Sequence, residues 1–196
     1  MGNRQKDREI QCWELDAISN LVNIQLEQLQ YIYKDFQRVS KNNLLNKYEF
    51  RRVYTDLMRQ SSYRNTSQLS SYEFKRQNKT MADRIFRIFN KDHAGLLTFD
   101  EFIVAYVMLQ NSISPKIRLK FFLDHYSQNY DYITPIMGQQ IIQDLSKLYG
   151  INTDYQQVWR HLEANYASNS GFIPQQAFIE YFINHPVYSA ALYKNV

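Results

Sequence analysis

The stretch Phe86-Arg87-Ile88-Phe89-Asn90-Lys91-Asp92-His93-Ala94-Gly95-Leu96-Leu97-Thr98-Phe99-Asp100-Glu101-Phe102 decides the fold. Phe86, Ile88 and Phe89 close an apolar helix, and a second helix opens around Phe99 and Phe102. Between them, Asn90 and Asp92 offer side-chain oxygens and Gly95 supplies a residue that tolerates a sharp turn. Leu97 interrupts the polar loop with one aliphatic side chain, and Glu101 closes it with a carboxylate. The phasing of turn glycine, aliphatic residue and terminal glutamate describes two helices joined by a loop with the spacing of a cation-binding turn.

The same outline recurs along the chain, centred on Leu45, Leu97, Ile133 and Ile173, and in three cases a phenylalanine follows five residues later, at Phe50, Phe102 and Phe178. In an EF-hand, a loop of about twelve residues presents ligands on alternate positions and turns at its sixth. The aliphatic residue falls at the eighth, where it points into the core while its backbone can pair with a partner loop. Loops are therefore expected in twos, Leu45 against Leu97 and Ile133 against Ile173. The expected fold is all-α, with four EF-hand-like helix–loop–helix units in two lobes and short antiparallel bridges between paired loops. Its parts are a partly helical N-terminal segment (1–23), a first pair of units (24–110) with a polar insertion at 60–80, a second pair (111–184) and a tail (185–196). In that tail Val187, Leu192 and Tyr193 are expected to pack as an apolar plug.

Leu29-Gln30-Tyr31-Ile32-Tyr33-Lys34-Asp35-Phe36, Tyr48-Glu49-Phe50-Arg51-Arg52-Val53-Tyr54, Met81 to Tyr106, and Phe178-Ile179 followed by His185-Pro186 together cover much of the chain. In these segments it resembles the neuronal calcium sensor, or recoverin-like, family of the EF-hand superfamily. The stretch from Leu57 to Met81, rich in Ser, Asn, Gln and Arg, is longer than that family carries there, and the family's Cys-Pro in the first loop is missing. The resemblance implies calcium loops, a groove for a partner helix and a regulatory role.

The loops are poor in what calcium needs, about six to eight oxygens with several carboxylates among them. The first, Arg38 to Glu49, begins with a cation. The third, Tyr126 to Met137, ends on Met137 where a carboxylate belongs, and the fourth, Tyr166 to Ala177, has no acidic ligand at all. Only the second keeps a set: Asn90, Asp92, the Leu96 carbonyl, Thr98 and Glu101. Ala94 removes one oxygen from it, so at most one weak calcium site is expected, of ~10⁻⁴ M or poorer. The bland alternative is a turn held by Asn90 and Asp92 bonding to nearby backbone.

Met58, Tyr106, Met108, Phe121, Phe122, Phe182 and Tyr188 are the candidates to line an apolar groove for an amphipathic helix of another protein, with burial in the free lobe as the alternative. The hydrophobic fraction of 44% excludes general disorder, and 5 Gly with 4 Pro starve a many-stranded fold of turns. The 23 basic and 19 acidic residues are spread without a phosphate-binding stripe, so nucleic acid is not implied. One cysteine, Cys12, permits no internal disulfide. No stretch approaches the ~20 apolar residues of a membrane span. Met1-Gly2 invites acylation, but Lys6 stands where that motif has Ser or Thr. His93, His125, His161 and His185 form no metalloprotease pair, and no phosphate loop or nucleophile elbow occurs. The expectation is a cytoplasmic, non-catalytic adaptor or constitutive subunit of a larger complex, largely independent of calcium, with cytoskeletal, ciliary and channel assemblies all compatible. The rival is a calcium sensor working through the second loop.

Overall fold

The computed structural model describes residues 12–62, 71–90, 95–110, 112–127, 131–168 and 171–193. Among these the protein is mostly helical, with two two-stranded antiparallel sheets. No described helix is long and apolar enough to cross a membrane. The chain divides into two compact units, Met1–Ile103 and Val104–Val196, a division that falls inside one helix.

The first unit holds α1 (Cys12–Val22), α2 (Leu26–Val39), β1 (Leu45–Asn46), α3 (Lys47–Ser62), α4 (Ser71–Phe89), β2 (Leu96–Leu97) and the start of α5 (Phe99–Met108). Asn23, at φ 55°, ends α1 in the left-handed region that asparagine tolerates. In α2, Leu29, Ile32 and Phe36 recur every three or four residues and are all buried. Leu45 pairs with Leu97 and Asn46 with Leu96, and both leucines are fully buried. Beneath this bridge Phe36 meets Phe99 (ring centroids 5.1 Å) and Phe102 (5.4 Å), and Phe50 meets Phe86 (5.8 Å). The phenylalanines that follow the loop glutamates are thus the centre of this core.

Helices α3 and α4 are joined by charge as well as by packing. Arg51 donates from Nε and Nη2 to the two oxygens of Asp83, the second at 2.7 Å, and Lys47 adds its amine at 3.5 Å. These partners hold the Asp83 carboxyl below the usual carboxylate value, the Arg51 hydrogen bonds most strongly, against the opposing effect of burial. Of the stretch 60–80 expected as an insertion, residues 71–80 are the first half of α4, and 63–70 lie outside the described residues. The helix has a plain cause: residues 71–80 contain no Gly or Pro, and their Lys, Arg, Gln and Glu favour helix without an apolar stripe to reveal it.

The second unit holds the end of α5, then α6 (Pro115–Ser127), β3 (Tyr132–Ile133), α7 (Pro135–Tyr149), α8 (Tyr155–Tyr166), β4 (Ile173–Pro174), α9 (Gln175–Asn184) and α10 (Pro186–Tyr193). Its boundaries are written locally. Thr134 caps α7 by accepting from the Met137 amide, Pro135 follows it, and Gly150 at φ 67° closes the helix. Asp154 caps α8 by accepting from the amides of Gln156 and Gln157. Ile133 pairs with Ile173 and Tyr132 with Pro174, and both isoleucines are fully buried. Leu45 with Leu97 and Ile133 with Ile173 are the pairings that the repeat implied.

Glycine is required at Gly138, where α7 passes α8: a methyl group there would overlap Cζ3, Cε3 and Cη2 of the buried Trp159 ring. Gly138→Ala is expected to destabilise the protein by about 1–3 kcal/mol by overpacking, although alanine ordinarily improves a helix. An unchanged denaturation midpoint would remove this contact from the account of the second unit. For the first unit, the depressed Asp83 value means that its contribution is complete above the unfolded carboxylate value of ~3.9 and disappears as pH falls through the folded one. Acid titration of stability should therefore be steeper in the native chain than in Asp83→Asn; parallel curves would contradict the pair's role.

Candidate functional site

In the second loop the expected ligand groups bind one another and the backbone. Asn90 donates from Nδ2 to the Leu96 carbonyl (2.7 Å) and accepts at Oδ1 from the Gly95 amide (3.1 Å). Only this orientation of the amide satisfies both neighbours. Glu101 Oε2 accepts from the Thr98 amide (3.0 Å) and hydroxyl (3.3 Å), while Thr98 Oγ1 accepts from the Glu101 amide (3.3 Å). The reciprocal pair is a capping box at the start of α5. Asp92 lies outside the described residues.

As arranged, Asn90, Leu96, Thr98 and Glu101 do not fit a calcium ion. The Asn90 amide nitrogen faces the very carbonyl that would be a ligand, and Glu101 turns an oxygen toward its own helix cap. A cation would have to break the Asn90–Leu96 bond and compete with the cap.

The first loop repeats the arrangement around a different turn. Asn42 and Asn43 take φ 55° and 56°, doing with two asparagines what Gly95 does at φ 76°. Asn46 Oδ1 accepts from the amides of Tyr48 (2.9 Å) and Glu49 (3.0 Å), and Glu49 Oε2 accepts from the Asn46 amide (2.9 Å). In each loop of the first unit, one oxygen of the terminal glutamate is therefore bonded at a helix start.

In the second unit the loops close by other means. The Tyr126 hydroxyl donates to Asp144 Oδ2 (2.5 Å), which also accepts from Gln140 Nε2 (3.0 Å). Burial first, and then the Asp144 charge, raise the Tyr126 phenol and keep its proton in place. The Ser168 amide donates to the Phe172 carbonyl (2.8 Å), and Gly171 turns the loop at φ 77°.

Five of the groove candidates are core. Tyr106, Met108, Phe122, Phe182 and Tyr188 are buried, Phe121 is half-buried, and the Met58 side chain lies outside the described residues. Two are brought together, Phe182 on α9 and Tyr188 on α10, with ring centroids 4.5 Å apart. Helix α10 is seated against three neighbours. Tyr188 meets Phe182 on α9, its hydroxyl lies 3.1 Å from Ser146 Oγ on α7, and Arg118 on α6 donates from Nη2 to the Leu192 carbonyl.

The tail expectation is corrected in part. Leu192 is buried, but Val187 and Tyr193 are 52% and 64% exposed, and Tyr188 takes the inward place instead. A helix repeating every 3.6 residues puts positions 188 and 192 on one face and leaves 187 and 193 beside it.

Sequence reading missed Arg118. It is 1% exposed, and besides Leu192 it donates from Nη1 to the Met108 carbonyl at the end of α5 (3.0 Å). A single arginine in the amphipathic segment Lys116-Ile117-Arg118-Leu119 reads as a solvated face, and no local signal distinguishes it.

Neither the family models nor the curated proteins with which the sequence was compared match it.

Because Thr98 and Glu101 cap α5 reciprocally, Thr98→Ala and Glu101→Ala are each expected to cost about 1 kcal/mol of stability, equally with calcium or with chelator. Glu101→Gln should cost less, since glutamine completes the same box. A loss seen only when calcium is present would show that Glu101 serves a metal.

Proposed function

We propose that this chain is an EF-hand-like protein of the recoverin-like kind, and that it works as a non-catalytic, largely calcium-independent adaptor that binds an amphipathic helix of another protein. The carrying observation is that, among the described residues, the Glu49 and Glu101 carboxylates and the Asn46 and Asn90 amides of the first unit's loops bond to helix caps and turns, which supports a loop pair that does not depend on a divalent ion. The resemblance of the helix-flanked loops, the pairing of the four eighth-position aliphatics and the φ values near 76° at Gly95 and Gly171 support the superfamily reading.

The place for a partner helix is the seat of α10. An eight-residue helix already lies there, with Tyr188 against the Phe182 ring of α9 and the Ser146 hydroxyl of α7 and the Leu192 carbonyl on Arg118 of α6, and a helix with an apolar face carrying a polar group is the kind of segment such a seat takes. A partner binds by displacing α10. A cytoplasmic setting within a cytoskeletal or ciliary assembly fits an adaptor of this kind.

Calorimetry tests the reading against a sensor. Titration of the full chain with calcium at micromolar concentration should give no heat, and chelation should leave its melting temperature unchanged. Heat that Glu101→Gln abolishes would replace the adaptor with a calcium sensor acting through the second loop, because that variant keeps the cap and removes only the charge.

A further inference from the structure

The buried Arg118 presents half of a carboxylate-binding fork. Its Nη1 and Nη2 each have a carbonyl acceptor, on Met108 and Leu192, while its Nε is buried and has no hydrogen-bond partner. The Nε–Nη2 edge of a guanidinium is the edge that takes both oxygens of one carboxylate. The same molecule displays that use at Arg51, whose Nε and Nη2 bind the two oxygens of Asp83. At Arg118 one of these two donors meets a neutral carbonyl from α10 and the other meets nothing.

We infer that the partner of the α10 seat carries an aspartate or glutamate on the apolar face of its helix, and that this carboxylate binds Nε and Nη2 of Arg118 in place of the Leu192 carbonyl. The inference rests on the displacement of α10 stated above. When α10 leaves, the guanidinium loses one of its two acceptors while still held beside Met108, and a buried cation short of acceptors is strongly unfavourable. A purely apolar helix does not restore that acceptor. A carboxylate returns it, satisfies Nε as well and neutralises the charge. Arg118 thereby becomes the specificity determinant of the seat, favouring a helix with one acidic residue amid its apolar ones.

The test uses the full chain and two labelled amphipathic helical peptides, identical except for one glutamate or glutamine at the centre of the leucine face. Fluorescence anisotropy measures binding, and amide exchange of residues 186–193 reports displacement of α10. The glutamate peptide should bind at least about tenfold more tightly and deprotect α10. In Arg118→Lys, which keeps the charge but loses the fork, the preference should shrink toward unity, with folding checked by circular dichroism. Equal binding of the two peptides to the native chain, with α10 displaced by both, would overturn the carboxylate inference and leave the seat intact. Failure of both peptides to bind or to deprotect α10 would overturn the seat and the inference together.

Discussion

Two short backbone pairings position much of this molecule. Leu45 against Leu97 and Ile133 against Ile173 each join two loops through only a pair of residues, and the four side chains are completely buried. The bridge alone is too small to be stable in water. It persists because each aliphatic residue enters the core formed by the helices on either side of its loop, so the loops are fixed by apolar packing and the helices are aimed by the loops. In the first unit Phe36 and Phe50 both meet Phe102, which follows the second loop, so the loop and the core are one cooperative feature.

That arrangement sets where the oxygens of the first unit's loops go. A multivalent ion would gather oxygens toward a centre. Here the same oxygens are drawn outward to amides at helix starts and turns: Asn46 and Glu49 in one loop, Asn90 and Glu101 in the next. In the second unit the phenol of Tyr126 and the carboxylate of Asp144 make a neutral-to-charged hydrogen bond under cover. The turns are alike while what holds them differs.

Much of the architecture was legible because it is carried by local, periodic signals. Gly95, Leu97, Glu101 and Phe102 set one phase, and the aliphatic positions of the other loops copied it. What escaped was either non-local or compositionally plain. The Gly138 approach to Trp159 joins residues on two helices and has no signature at either. Arg118 looks like any surface arginine until the ends of α5 and α10 are seen to converge on it. The first half of α4 was hidden by polar residues that form helix well without displaying a stripe. At the candidate site, the sequence offered the apolar residues of the second unit either as groove or as core, and could not reveal that Tyr188 of α10 packs on Phe182 among them.

The connection between α9 and α10 consists of His185 alone, since α9 ends at Asn184 and α10 begins at Pro186. So short a tether keeps a detached α10 next to its seat, at an effective concentration of the order of mM or more. For the proposed partner, competition for the seat is then unequal by construction: a molecule arriving from solution at ~μM must bind the bare surface roughly a thousandfold better than α10 does merely to occupy it half the time. On the proposal that a partner displaces α10, moderately apolar helices are thereby filtered out, and a segment matched to the surface in both shape and charge is favoured.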